Sequence, residues 1–217
     1  MTDKNVRWEN ICNFEDYQIT YMLYREGKSI SVLSIIRNMD KKQVEKHIIK
    51  AKIELSKKRN SKDVLIEIMS KDKNTRLDII TGLKEQKRKF LISEICNRYT
   101  KFKNPDDRMI LIWMMGEIKD SKFLPFLRME LRSKNVNYRR LACSALGKIM
   151  DKTAKPWIEK VLEDSNPQVR QYAIKALTGI GDIESIKKLK NVLMSRNEKE
   201  YVKRAAKETI MEIQKYI

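Results

Sequence analysis

Residues 135–151 read NVNYRRLACSALGKIMD and residues 166–182 read NPQVRQYAIKALTGIGD, one pattern written twice at a spacing of about 31 residues, a period that marks a repeat array. Aligned at that spacing, Arg139 falls on Arg170, Ala142 on Ala173, Ala145 on Ala176, Leu146 on Leu177, Ile149 on Ile180 and Asp151 on Asp182. One period upstream, NPDDRMILIWMMGEIKD puts Arg108, Leu111, Met114, Met115, Ile118 and Asp120 in the same columns. Downstream, after about two extra residues, come Val202, Ala206, Thr209, Ile210 and Ile213, with Lys203 in the arginine column. A fainter copy at Asn74, Arg76, Ile79 and Leu83 fits with one residue of slip, which makes about five copies.

The apolar columns recur at i, i+3, i+4 and i+7, so each copy is an amphipathic helix that needs neighbours to cover its stripe. A second apolar helix precedes or separates the copies, at 64–69, 90–99, 123–131, 156–162 and 186–193, and the unit is therefore a helix pair. Pro125 and Pro156 fall one period apart in first turns, where proline loses no hydrogen bond; Asn104-Pro105 and Asn166-Pro167 punctuate the turns before the other helices. The pattern D/N-x-x-V-R-x-x-A-x-x-A-L-x-x-I-G-D, clearest at Asn166 to Asp182, resembles HEAT repeats, particularly the short bacterial variety also seen in phycobilin lyases. The resemblance covers roughly 62–217 and implies an all-α fold, an α–α superhelix of about five helix pairs at 59–217 behind a small domain at 1–58. Such solenoids serve many purposes, so the resemblance defines a fold more than a function.

Charge is the most informative bulk property. The 47 Lys and Arg against 29 Asp and Glu give +18, of which about +4 belongs to the first 58 residues and about +14 to the repeats. An excess of this size outruns what solubility requires and makes nucleic acid the first partner to consider. No apolar run reaches the length of a membrane span and MTDKNVRWEN lacks a signal-peptide core, so a cytoplasmic location and no membrane partner are expected. Cys12, Cys96 and Cys143 are far apart and lack CxxC spacing, so neither a disulfide framework nor a metal site is suggested. No glycine-rich phosphate loop or catalytic triad appears; a non-enzymatic protein without a cofactor is expected.

Before the repeats another pattern takes over. Trp8, Ile11, Phe14 and Tyr17 offer an apolar stripe, and Ile19, Met22 and Leu23 read as a helix ended by Gly27. Ser29 or Ser31 can cap a short helix with Val32, Leu33, Ile35 and Ile36; Asn38-Met39 makes a tight turn, and Asp40 caps a third helix that buries Val44, Ile48, Ala51 and Leu55. This segment resembles a helix-turn-helix, with 30–37 as the supporting helix and 40–52 as the recognition helix. That resemblance implies DNA contact through Lys41, Lys42, Gln43, Lys46, His47 and Lys50, with transcriptional regulation as the role. No arginine lies on the proposed recognition face, and a helical cap over the end of the solenoid is the competing reading.

On the repeats, Lys148 and Lys175 occupy neighbouring columns beside the buried stripe and are candidate phosphate contacts. The column Arg76, Arg108, Arg139, Arg170 reads first as a structural tie to acidic residues such as Asp164. Trp113 and Glu117, one turn apart, resemble in outline the aromatic and carboxylate pair of HEAT-like DNA glycosylases of the alkylation-repair type. A protein-binding scaffold is the further alternative, with a partner protein on the solenoid.

Overall fold

The structure is a computed structural model that describes residue 11, residues 14–58 and residues 63–217, with 55–58 described as backbone alone. Trp8 and Cys12 of the expected stripe and cysteine set lie outside the described residues, as does the side chain of Leu55. Among the described residues every regular element is helical: α1 (Asp16–Arg25), α2 (Ile30–Ile36), α3 (Lys41–Lys58), then the pairs α4 (Val64–Met69) with α5 (Lys73–Thr81), α6 (Glu85–Arg98) with α7 (Pro105–Ile118), α8 (Leu124–Glu130) with α9 (Val136–Ile149), α10 (Lys155–Lys160) with α11 (Pro167–Ala176), and α12 (Ile183–Met194) with α13 (Glu200–Ile213). The all-α solenoid of helix pairs read from the periodicity is the fold of the chain. The chain divides into two compact units, 1–111 and 112–217, with the division inside α7.

In the first unit, α1, α2 and α3 enclose a small core of Tyr24, Leu33, Val44 and Ile48, with Tyr21, Ile30 and Met39 packed against it. Gly27 after α1 takes φ +93°, which any side chain would strain, and Asn38 between α2 and α3 is also left-handed at φ 48°. Asp40 and Gln43 form a capping box at the start of α3: the Gln43 N–H donates to Asp40 Oδ1 at 2.8 Å and the Asp40 N–H donates to Gln43 Oε1 at 3.1 Å. Of the expected N-terminal stripe, Tyr17 is buried, Phe14 is half-buried and Ile11 is exposed.

The first helix pairs hold these three helices through the start of α7. Asn104 Nδ2 donates to the carbonyls of Tyr24 at 2.8 Å and Lys28 at 3.1 Å, closing the α1–α2 turn. The Ile30 N–H at the start of α2 donates to Asp106 Oδ2 at 2.9 Å, and burial pushes that carboxyl above the ordinary carboxylate range. Asp107 accepts from the Tyr24 hydroxyl at 2.9 Å and from Lys52 Nζ at 2.7 Å, with both ionic side chains more than nine-tenths buried. Lys52 also lies over the Tyr24 ring at 5.2 Å, and burial raises the Tyr24 phenol far above its usual range. Each polar group is satisfied by another, the condition under which a buried pair persists.

In the second unit, α9, α11 and α13 pack closely side by side, and α8, α10 and α12 form a second layer against them. The close approach rests on small residues. A Cβ on Gly116 would sit 2.8 Å from Ala145 Cα, and one on Gly147 would sit 2.8 Å from Ala176 Cα, so α7–α9 and α9–α11 meet backbone to backbone one period apart. Ala145 and Ala176 are buried at these contacts, and Ala142, Ala173, Ala205, Ala206, Met114 and Met115 are buried as well.

The expected arginine column is a set of ties. Arg139 forks onto Asp164 at 2.6 and 2.9 Å while donating to the Ser133 carbonyl at 2.9 Å; Arg170 forks onto Glu198 at 2.6 Å for both bonds while donating to the Asp164 carbonyl at 2.6 Å. Arg76 caps the end of α4 through the carbonyls of Ile68, Met69 and Lys71, and Arg108 lies over the Tyr99 ring at 5.0 Å. The aspartate column repeats as caps, with Asp120, Asp151 and Asp182 accepting from the N–H groups of Lys122, Thr153 and Ser185.

Candidate nucleic-acid interface

The sequence brings its first candidate set together on α3. Val44, Ile48, Ala51 and Lys52 form the inward face, so Lys41, Lys42, Gln43, Lys46 and Lys50 project outward by the 3.6-residue period and are exposed. Lys41, Lys42 and Lys46 make no ion pair among the described residues. The Gln43 side chain is partly committed, since its carbonyl closes the capping box, but its NH2 group remains available as a donor. Asp40 and Glu45 are exposed on the same stretch, so the face carries mixed charge with a cationic excess.

His47 and Lys50 differ from the expectation of a purely solvated row. His47 is half-buried, with Nδ1 3.2 Å from Oγ1 of the fully buried Thr20, which turns the ring toward α1. Lys50 lies 4.1 Å over the Tyr17 ring and 3.9 Å from Glu15. Tyr17 in turn bonds Glu54, and that bond, with burial, pushes its phenol up to about 12. The exposed, uncommitted cations are therefore those of the first turns of α3, beside the capping box of Asp40 and Gln43.

On the repeats, Lys175 is exposed on α11, whereas Lys148 is bonded to Glu117 across α7 and α9. The pairing neutralises both groups, so the two lysines one period apart are not equivalent. The same bond engages the Glu117 carboxylate beside Trp113, which is half-buried. Periodicity found these columns but not their pairing, because a Lys one repeat after a Glu reads equally well as two solvated residues.

Sequence reasoning read Asn104 only as turn punctuation and gave no role to Lys52, Asp106 and Asp107. A signal was present: Lys52 falls eight residues after Val44 and one after Ala51, on the apolar stripe, where a lysine implies a buried counter-ion. Among the described residues no group of His, Cys, Asp and Glu is arranged to hold a metal ion, and no helix is long and apolar enough to cross a membrane. Cys143 is buried and its thiol is pushed up to about 12 by burial, so it serves as a small packing residue.

Residues 129–211 match the family described as HEAT repeats, the segment that contains α9 to α12 and most of α13. No curated protein matches the chain. That segment thus carries HEAT-like repeats within an all-helical chain, and helical repeat arrays of this kind are scaffolds that present extended surfaces to partners.

Proposed function

We propose that this repeat scaffold is a non-enzymatic DNA-binding protein acting in transcriptional regulation, with the first turns of α3 laid against duplex DNA. The observation that carries the reading is the set of exposed lysines at 41, 42 and 46, free of ion pairs among the described residues, at the start of a helix held at the end of a short helix and a tight turn. Capping by Asp40 and Gln43 and burial of Val44 and Ile48 fix the pitch of α3, so its cations stand at defined spacing. Ammonium groups so placed meet phosphates, while the Gln43 amide can donate to a base edge. Lys175 and the other exposed lysines of the repeats add backbone affinity.

The test is duplex binding measured over a salt series, on random and selected sequences. Wild type should bind with a steep log–log salt slope, since each phosphate contact releases a counterion. Replacing Lys42, Gln43 and Lys46 together by alanine should remove sequence preference and flatten the slope by about one for each lost phosphate contact. Lys175→Ala should weaken all sequences equally. Lys148→Ala is not a clean probe, because it also leaves the Glu117 carboxylate unpaired. Binding of the α3 variant indistinguishable from wild type on every duplex would sink the reading and leave a scaffold for protein partners alone.

A further inference from the structure

The second unit has an open cleft of about 640 Å3 lined by residues of α8 and α10 and the turns that follow them. Leu131 and Val161 line its floor, 7 % and 8 % exposed. Arg128 on α8 and Arg132 just beyond it line one side; Trp157 and Lys160 of α10 line the other. Arg128, Arg132 and Lys160 are exposed and make no ion pair among the described residues. Two carboxylates border the cleft, but Asp164 is already forked by Arg139, which leaves Glu163 against three cations. The periodicity cannot find this site, since its cations share no column.

Three features select the ligand. The cationic rim calls for an anion. The volume is that of an ordinary ligand pocket and accommodates a few residues of extended chain. The Arg128 guanidinium lies 4.7 Å over the Trp157 ring, covering the indole face on which a nucleobase would stack. The apolar surface that remains open is the exposed ring of Pro156 beside the narrow strip of Leu131 and Val161, suited to a single side chain. We propose that the α8/α10 cleft docks an acidic peptide segment of a partner protein, seating one aliphatic or aromatic side chain on Leu131 and Val161 while flanking carboxylates pair with Arg128, Arg132 and Lys160. This site is independent of the α3 face, and each can fail without the other.

The experiment uses the full chain and fluorescence polarisation of a labelled random copolymer of glutamate and tyrosine, which presents many acidic frames around an apolar side chain. Wild type should bind it more tightly than polyglutamate of equal length. The double variant Arg132→Glu, Lys160→Glu should bind at least about tenfold more weakly, while Lys122→Glu, Lys190→Glu, which reverses the same charge elsewhere on the second unit, should change affinity by less than about twofold. All three proteins should melt at similar temperatures. No binding by wild type, or equal loss in the two double variants, overturns the proposal. So does an equal loss of duplex DNA and copolymer in the cleft variant, which would make the cleft a nucleic-acid surface. The triple alanine variant of Lys42, Gln43 and Lys46 should keep full copolymer affinity.

Discussion

Replacing Gly147 by alanine tests the packing of the repeats more sharply than any core truncation, because helix propensity and tertiary contact push in opposite directions. In a free helix the change stabilises by about 1 kcal/mol, since alanine restricts the unfolded chain and suits the helix better than glycine. In this fold the added Cβ lies 2.8 Å from Ala176 Cα and 3.1 Å from Ala176 Cβ. Carbon atoms rest at roughly 3.5 to 4.0 Å, so α9 and α11 must part by close to an ångström, and the atoms in the way are backbone that no rotamer can move. Overpacking of this kind costs about 1 to 3 kcal/mol and outweighs the propensity gain. A net loss of about 1 to 2 kcal/mol lowers the melting temperature by several degrees in a chain of this size, at roughly 2 to 4 °C per kcal/mol. The control is Gly179→Ala, whose Cβ would meet Met150 Sδ at 2.8 Å; that side chain is 56 % exposed and can swing aside. Thermal and urea unfolding followed by far-ultraviolet circular dichroism should show Gly147→Ala destabilised and Gly179→Ala near wild type. If Gly147→Ala melts at or above wild type, the backbone contact between α9 and α11 is wrong.

Lys52→Met removes the ammonium from Asp107 inside the first unit and should cost about 3 to 5 kcal/mol in urea unfolding, because the remaining carboxylate is buried and loses its ion-pair partner while keeping the Tyr24 hydroxyl; a loss under 1 kcal/mol would show that Asp107 reaches water. The bond from Arg170, against burial, holds the Glu198 carboxyl below its ordinary range; at Asp164 burial is the largest single push and acts upward, but the Arg139 fork, the Asn166 N–H and the nearby Arg170 together bring the carboxyl below its ordinary range. Folded-state values below the unfolded ones mean that this stabilisation is complete above the ordinary carboxylate range and is lost as pH falls through and below it. Arg170→Ala should therefore lower stability at pH 7 and flatten the acid limb of the stability curve; an unchanged acid limb would contradict the pairing. In a Cys12→Ser background, iodoacetamide should label the half-buried Cys96 well before Cys143, whose buried thiol is pushed up to about 12, and equal rates would mean that α9 is not packed as described.

The repeats were legible because their signal is redundant. Arg139 and Arg170, Ala145 and Ala176, and Asp151 and Asp182 recur in one register, and each column proved to have one job: tie, close contact or cap. Gly116 and Gly147 share that register too, yet glycine in mid-helix reads as a weakness until the partner backbone 2.8 Å from its would-be Cβ is seen. The turns on either side of α2 were legible from local chemistry alone, through Gly27 before it and Asn38 and Asp40 after it. What could not be read was pairing between positions far apart in sequence. Lys148 looks as free as Lys175 until Glu117 meets it, and Lys52 looks like one more lysine of a basic helix until Asp107, 55 residues on, closes over it.

That last contact makes the amino-terminal helices and the repeats parts of one lock. A break in the chain between residues 58 and 63 would leave Asp107 without its ammonium and phenol, Asp106 without the Ile30 amide, and Asn104 without the carbonyls of Tyr24 and Lys28. Neither fragment can satisfy those groups by itself, so the two pieces carry the instructions for recombination, and co-expressed as separate polypeptides they should find each other and copurify. The three-helix module is then no detachable head that could be grafted onto another array; its matching keyhole is written more than forty residues further along the same chain.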